Sequence, residues 1–265
     1  MGIMSLERVE IIQKYLKEQG SVAVAFSGGV DSTFLLYIAK EALGDKVLAI
    51  TINGTAMPDR DMEDVVDFLH DEGINHEIIK VDQLEIEGFK ENNPNRCYVC
   101  KKALFTKIKE VAAEHGIETV IDGTNFDDSF GYRPGIKALK ELEIVSPLWE
   151  LHMSKRTIRE LSEFYGLKTA HKSASPCLAT RIKTGEEITE EKLRMIEKAE
   201  DFLLERGFSQ VRVRMIGNDA SVEVRKDKVE NLTKMQDELE SRLKEIGFEN
   251  VEINPDGYKM GRMDK

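Results

Sequence analysis

The chain is poor in cysteine, proline and tryptophan, with three, six and one among 265 residues. Three thiols, an odd number, exclude the paired disulfide framework that holds small secreted domains together. No apolar run approaches the roughly 20 residues that a membrane-spanning helix needs. The opening stretch MGIMSLERVEIIQKYLKEQ lacks a basic segment followed by an apolar one. It reads as an amphipathic helix and not as a signal peptide, so a cytoplasmic protein is expected. A basic excess is also missing. The net charge of −11 speaks against a broad nucleic-acid surface, while leaving room for a local basic patch. There is no internal repeat or low-complexity tract, and no Walker ending: no GK[ST] and no lysine follow the paired glycines Gly28 and Gly29.

What is present centres on residues 22–33, VAVAFSGGVDST. Val22 to Phe26 is an apolar run suited to a buried parallel strand, and FLLYIAKEAL after the loop has helical spacing. Two adjacent glycines allow a sharp turn and the close approach of an anion. The loop N–H groups and the helix N-terminus form a positive cradle, to which Ser27, Ser32 and Thr33 add hydroxyl donors. Asp31 would repel a phosphate unless a magnesium ion bridged the two. An ordinary serine-capped turn is the plainer reading, but the whole SGGVDS after an apolar strand favours a nucleotide site.

Along the chain, helices are expected over 5–19, to about Leu43, over 59–72 and over 101–114. Strands are expected at 47–52, 74–81 and 119–122, with a short fifth strand at 144–151. Strands joined by helical crossovers predict an α/β fold with a doubly wound parallel sheet, its ligand beyond the carboxyl ends of the strands. That topology brings Thr51 to Gly54 towards the nucleotide. It also brings Gly123 there, with the carboxylates Asp127 and Asp128 of DGTNFDD as magnesium candidates and Arg133 as a partner for phosphate or a substrate carboxylate. After a helix at 154–165 the stretch 168–187 loses periodicity. The remainder reads as helix 189–206, strand 210–217, a turn at Asn218-Asp219, a return strand, helix 227–246 and a last strand. Two domains are therefore expected, a nucleotide domain over 1–185 and a smaller α+β domain over 186–265.

Cys97-x-x-Cys100 brings two thiolates within reach of one metal, and Cys177 lies in the irregular loop. Three thiolates suit a [4Fe-4S] cluster with one iron left open. A zinc site completed by His171 is the main rival, and a redox pair or an inert thiol remains open. Arg212 and Arg214 alternate across Val213 and share a strand face, which suits a phosphate clamp; a solvent-facing edge is the alternative.

SGGVDST, NPNRCYVCKKALF, DGTNFDD, YRPGIKAL and SPCLATR, in this order and spacing, resemble the LarE-type sulfur transferases of the PP-loop group. The likeness runs on through AEDFLLERGF, VRVR and the closing GRM. It implies a PP-loop fold and cleavage of ATP to AMP and pyrophosphate. The implied acceptor is a pyridinium dicarboxylate mononucleotide, a precursor of the nickel-pincer cofactor. ATP would adenylate its carboxylate, and sulfur would then replace AMP. Ser27, Gly28, Gly29, Asp31 and Ser32 would hold pyrophosphate and metal, with Asp127 or Asp128 assisting. Cys97, Cys100 and Cys177 would hold a [4Fe-4S] cluster whose open iron carries the donor sulfur, supplied by sulfide or a sulfur carrier. Arg181 would guide anionic groups, and Arg262 and Glu200 would join Arg212 and Arg214 in positioning the acceptor. Self-association is common in this family and is implied too. The rivals are a tRNA thiolase of the same chemistry, an ammonia-using ligase, and a nucleotide or iron sensor that binds ATP without turnover.

Overall fold

The computed structural model of the protein describes residues 3–129 and 134–259. Arg133 and Arg262, two of the expected anion partners, lie outside the described residues. Two compact units make up the chain. One comprises Met1–Gly54, Asp59–Val81 and Cys97–Ser175; the other comprises Thr55–Pro58, Asp82–Arg96 and Pro176–Lys265.

The first unit alternates helix and strand: α1 (Ile3–Gln19), β1 (Val22–Ala25), α2 (Val30–Leu43), β2 (Val47–Gly54), α3 (Asp59–Asp71) and β3 (His76–Val81). It continues through α4 (Arg96–Glu114, whose first residue belongs to the other unit), β4 (Val120–Asp122), α5 (Pro134–Glu141), α6 (Pro147–Glu150) and α7 (Lys155–Phe164). The sheet order is β3-β2-β1-β4, and every pairing is parallel. Val22, Ala23 and Val24 of the central strand are fully buried, as a strand covered on both faces requires. Ala23, Leu48 and Ile50 pack with Phe105, Ile108 and Ala112 of α4 in one apolar cluster.

The expected fifth strand at 144–151 does not form. Val145 makes a single bridge to β4, accepting from Asp122 N at 3.0 Å and donating to Val120 O at 3.0 Å. Pro147 then has no N–H to extend the ladder, and its fixed φ instead starts the short helix α6.

The second unit holds α8 (Glu190–Glu205), β5 (Val211–Ile216), β6 (Asp219–Val224), α9 (Val229–Thr233), α10 (Gln236–Ile246) and β7 (Val251–Ile253). Its sheet runs β5-β6-β7, with the first pair antiparallel and the second parallel. The hairpin turns at Gly217-Asn218, one residue earlier than the Asn218-Asp219 signal suggests, since Ile216 still pairs with Asp219. Helix 227–246 is broken into a 3-10 turn, α9 and α10.

The division between units falls at 175/176 and not at 185, and two earlier segments join the second unit. Backbone hydrogen bonds explain this. Leu178 N donates to Ala56 O (2.9 Å), Gly185 N to Asn92 O (3.0 Å) and Ile188 N to Lys90 O (2.9 Å). Asn92 is fully buried with φ at 51°, a conformation that asparagine tolerates, and its amide donates to Lys183 O at 2.9 Å. None of these pairings leaves a periodic signature in the sequence.

Candidate active site

β1 ends at Ala25 and α2 begins at Val30, so Phe26 to Gly29 form a tight loop at the carboxyl edge of the sheet. Phe26 is fixed from both sides: its N–H donates to Ile50 O (2.9 Å), and its carbonyl accepts from the Thr51 hydroxyl (2.9 Å). Thr51 is thus buried, and its hydroxyl shapes the loop. Ser27 and Ser32 hydroxyls lie 3.1 Å apart across the loop, and Ser32 also donates to Gly29 O at 3.2 Å.

The two loop glycines differ. Gly28 has φ of 68°, and a Cβ there would come within 2.7 Å of Val65 Cγ2. Gly29 has φ of −79° and ψ of 160°, open to any residue, and a Cβ there would meet only Ser27 Oγ, at an ordinary 3.5 Å. Among the described residues nothing else comes near that Cβ position, which lies at the N-terminus of a 14-residue helix, where backbone N–H groups attract anions. Gly123, at the end of β4, packs against the same helix start: a Cβ would fall 2.8 Å from Ser32 N and 3.0 Å from Ser32 Cα.

Asp31 stands in the first turn of α2. Its Oδ2 pairs closely with Lys155 Nζ, while its Oδ1 is buried with no close hydrogen-bond partner among the described residues, the Asn125 side chain standing near enough to lower the Asp31 pKa. Burial pushes the Asp31 carboxyl above the usual carboxylate range, Lys155 opposes the rise, and the Asp128 charge adds to it. Asp127 Oδ2 accepts from Lys155 N (2.8 Å), and Asp128 Oδ2 from Asn125 N (3.2 Å), so both acids hold the start of α7 and the Thr124–Asn125 turn in place. Magnesium is usually held by one or two carboxylates plus substrate phosphates. An orphaned buried carboxylate oxygen on Asp31, with Asp128 close enough to perturb it, fits that requirement. Lys155 and Asn125 are further members of this site. Sequence spacing does not single them out, because Lys155 follows the helix cap Ser154 as any surface lysine would.

Cys97 and Cys100 lie on the first turn of α4, which starts at Arg96, five residues before the position that periodicity suggests. Cys97 is exposed and Cys100 buried. Cys177, in the second unit, is half-buried and precedes a 3-10 turn over Leu178–Arg181. Among the described residues no three His, Cys, Asp or Glu side chains are grouped as a metal site. His171, the rival zinc ligand, is exposed and sits 3.6 Å from Glu163.

In the second unit Arg181, Arg212, Arg214, Glu200 and Glu223 are all buried. Arg181, expected to guide substrate anions, is fully enclosed. It pairs with both Glu200 oxygens (2.8 and 2.9 Å) and donates to the carbonyls of Pro176 (2.6 Å) and Cys177 (3.1 Å). It therefore shapes the cysteine loop. Glu200 also accepts from Val213 N at 3.1 Å, which fixes α8 to β5. Arg214 bonds Glu223 Oε2 (3.2 Å) and Thr180 O (3.0 Å). Arg212 lies 5.3 Å from the Tyr258 ring centre; burial, with Arg181 next, pulls its pKa down to about 10. All three guanidiniums are buried, so this is not the solvent-facing edge that was the alternative. Glu223 was legible in principle, since VRVR and SVEV pair with Arg212 opposite Glu223.

The profile of the NAD synthase family matches residues 4–111, which include the loop and its helix. The pyridinium-3,5-bisthiocarboxylic acid mononucleotide synthase of Lactiplantibacillus plantarum is 32% identical over 94% of this chain and 90% of its own. The protein slr1717 of Synechocystis is 36% identical over 97% of both chains. A subunit of the glutamine-hydrolysing GMP synthase of Methanococcus maripaludis is 30% identical over 73% of this chain and 66% of its own. With the glycine cradle, the orphaned Asp31 oxygen and the thiol pair at the head of α4 in view, the chain belongs to the PP-loop family of ATP-using enzymes and, within it, to the LarE-type group.

Proposed function

We propose that the protein is an ATP-dependent sulfur transferase that activates a carboxylate of a nucleotide-like acceptor, of the pyridinium dicarboxylate mononucleotide class, as a step towards a nickel-pincer cofactor. The observation that carries the reading is the uncrowded approach to Gly29 at the start of α2, beside the Ser27 and Ser32 hydroxyls. It suits the pyrophosphate part of ATP.

The chemistry balances in two steps. An acceptor carboxylate oxygen attacks the α-phosphorus of ATP, the bond to the β-phosphate oxygen breaks, and pyrophosphate leaves. A hydrosulfide then attacks the acyl carbon, the bond to the AMP oxygen breaks, and a thiocarboxylate and AMP remain. The first step needs charge neutralisation. The loop N–H groups and serine hydroxyls donate to the leaving pyrophosphate, and Lys155 offers a positive charge beside Asp31. Asp31 and Asp128 would hold a magnesium ion, which supplies Lewis-acid neutralisation of the phosphates when bound. Arg212 and Arg214 supply the positive charge for the acceptor's phosphate.

The finer part of the proposal concerns sulfur. Three thiols, two of them at a helix N-terminus, are the donor set that a [4Fe-4S] cluster takes, and such a cluster supplies a metal-held hydrosulfide when bound. No step above is routed through it. The test has two parts. Pyrophosphate release from ATP must depend on the nucleotide carboxylate; release without the acceptor, or none with it, refutes the transferase. Anaerobically prepared protein should hold about four irons, lost in Cys97→Ala, Cys100→Ala and Cys177→Ala alike. Stoichiometric zinc without iron refutes the cluster while leaving the adenylation untouched.

A further inference from the structure

One cation beside the glycine loop takes no part in the chemistry above. Lys172 belongs to the aperiodic stretch after α7, yet it is firmly held. Its Nζ lies 3.0 Å from Asp61 Oδ1, 2.7 Å from Asp64 Oδ2 and 3.5 Å from the carbonyl oxygen of Gly28. Asp61 and Asp64 are on α3, and Gly28 is in the loop itself. The side chain of Asp61 is only 8% exposed, whereas that of Asp64 is 58% exposed. Ser175 adds a 2.6 Å hydrogen bond to Asp61 Oδ2, and Arg159 donates to Lys172 O at 2.8 Å and also to Ala170 O. Residues 170–175 are thus strapped to α3, α7 and the loop, and two residues later in sequence comes Cys177.

A lysine ammonium is a compact charge on a flexible stem and can change partners over a few ångströms. Two carboxylates hold it here next to a carbonyl of the proposed pyrophosphate cradle. A triphosphate carries more negative charge than those two carboxylates together, and Asp64 is largely solvated and gives up its partner cheaply. We propose that Lys172 is a positioning residue for the β- and γ-phosphates of ATP, and that its transfer from Asp64 to phosphate reports nucleotide occupancy to the 170–175 segment leading to Cys177. The proposal rests on the ATP-site reading above and deepens it.

The test compares binding of a non-hydrolysable ATP analogue with magnesium against binding of AMP, by calorimetry on the full chain. Lys172→Met should weaken the analogue about tenfold or more, the loss expected for one charge-assisted hydrogen bond, while AMP stays within about twofold. Lys172→Arg should recover most of the loss. Asp64→Asn frees the lysine and should tighten the analogue by at least about twofold. Hydrogen exchange in residues 168–175 should change on adding the analogue to the wild type but not to Lys172→Met. A purely structural lysine would weaken both nucleotides together. Equal losses, no loss, or an Asp64→Asn variant that binds no tighter overturns the proposal. Should Lys172→Met fail to fold, the Asp64→Asn and exchange results decide. A wild type that binds neither nucleotide overturns the ATP-site reading itself, and this inference with it.

Discussion

Substituting Gly29 with alanine separates what the fold needs from what the ligand needs. The residue has φ of −79° and ψ of 160°, so alanine enters without backbone strain, and its Cβ meets only Ser27 Oγ at 3.5 Å. Two small terms oppose each other. Alanine caps a helix less well than glycine, and it lowers the entropy of the unfolded chain by about 0.4–1 kcal/mol. The net change in stability should stay within about 1 kcal/mol, a shift in Tm of no more than about 4 °C for a chain of this size. The ligand meets a different situation. The methyl group occupies the approach to the loop N–H groups, each worth about 1.5–3 kcal/mol to a charged acceptor. Losing one or two of these weakens ATP by about tenfold or more. Gly28→Ala gives the complementary result: φ of 68° and a 2.7 Å clash with Val65 Cγ2 should cost more than about 2 kcal/mol of stability. The assays are thermal unfolding and calorimetric titration with ATP and magnesium. If Gly29→Ala binds ATP within about threefold of the wild type, the space before it is not the phosphate site. A loss of more than about 10 °C would show that the fold, and not a ligand, requires the glycine.

Three further perturbations bear on other parts of the account. Arg181→Met removes one partner of a buried ion pair and should cost about 3–5 kcal/mol in urea unfolding; a cost below about 1 kcal/mol would show that Arg181 does not organise the Cys177 loop. Arg212 has its pKa drawn down to about 10, so its charge opposes folding at neutral pH, and that cost fades only as pH rises from about 10. Arg212→Met should therefore be the more stable protein in the absence of anions, while phosphate should raise the Tm of the wild type more than that of the variant; equal phosphate shifts would contradict the clamp. Asp31 has the opposite sign. With its pKa raised, it holds its proton more tightly folded than unfolded, so its stabilising contribution is present below 3.8 and lost as pH rises through the folded value. Magnesium needs the ionised form, so affinity for ATP with magnesium should climb with pH through that window in the wild type. It should stay flat in Asp31→Asn, and parallel profiles would remove Asp31 from the metal site.

The parallel sheet was legible because VAVA and VLAITI are long enough, and apolar enough, to be strands buried on both faces. The glycine loop was legible because only a strand-turn-helix makes sense of SGGVDS. The 144–151 stretch misled because IVSPLWEL is apolar without being able to pair, its proline removing the donor where the ladder would continue. The division between units was hidden for a different reason. Asn92, Lys90 and Ala56 act through backbone hydrogen bonds to residues about 90 to 120 positions later, and such pairings leave no local pattern. At the site, the residues that sequence named by chemistry (Ser27, Ser32, Asp31, Asp128) do meet at one end of the first sheet. Two that the resemblance named, Arg181 and Glu200, turn inward to each other, because nothing in the spacing of a loop arginine and a helix glutamate 19 positions later foretells a bidentate pair. Lys155 and Lys172 carried no signal at all, since a lysine near a helix cap or in a polar loop is ordinary.

The central claim is that this chain activates a carboxylate with ATP and leaves sulfur in its place. Its most direct test is mass spectrometry of a pyridinium dicarboxylate mononucleotide after incubation with the anaerobic protein, ATP, magnesium and sulfide. The account predicts an acceptor in which one carboxylate oxygen has become sulfur, with one AMP and one pyrophosphate formed for each exchange. An unchanged acceptor, or ATP cleaved to ADP and phosphate, would contradict it.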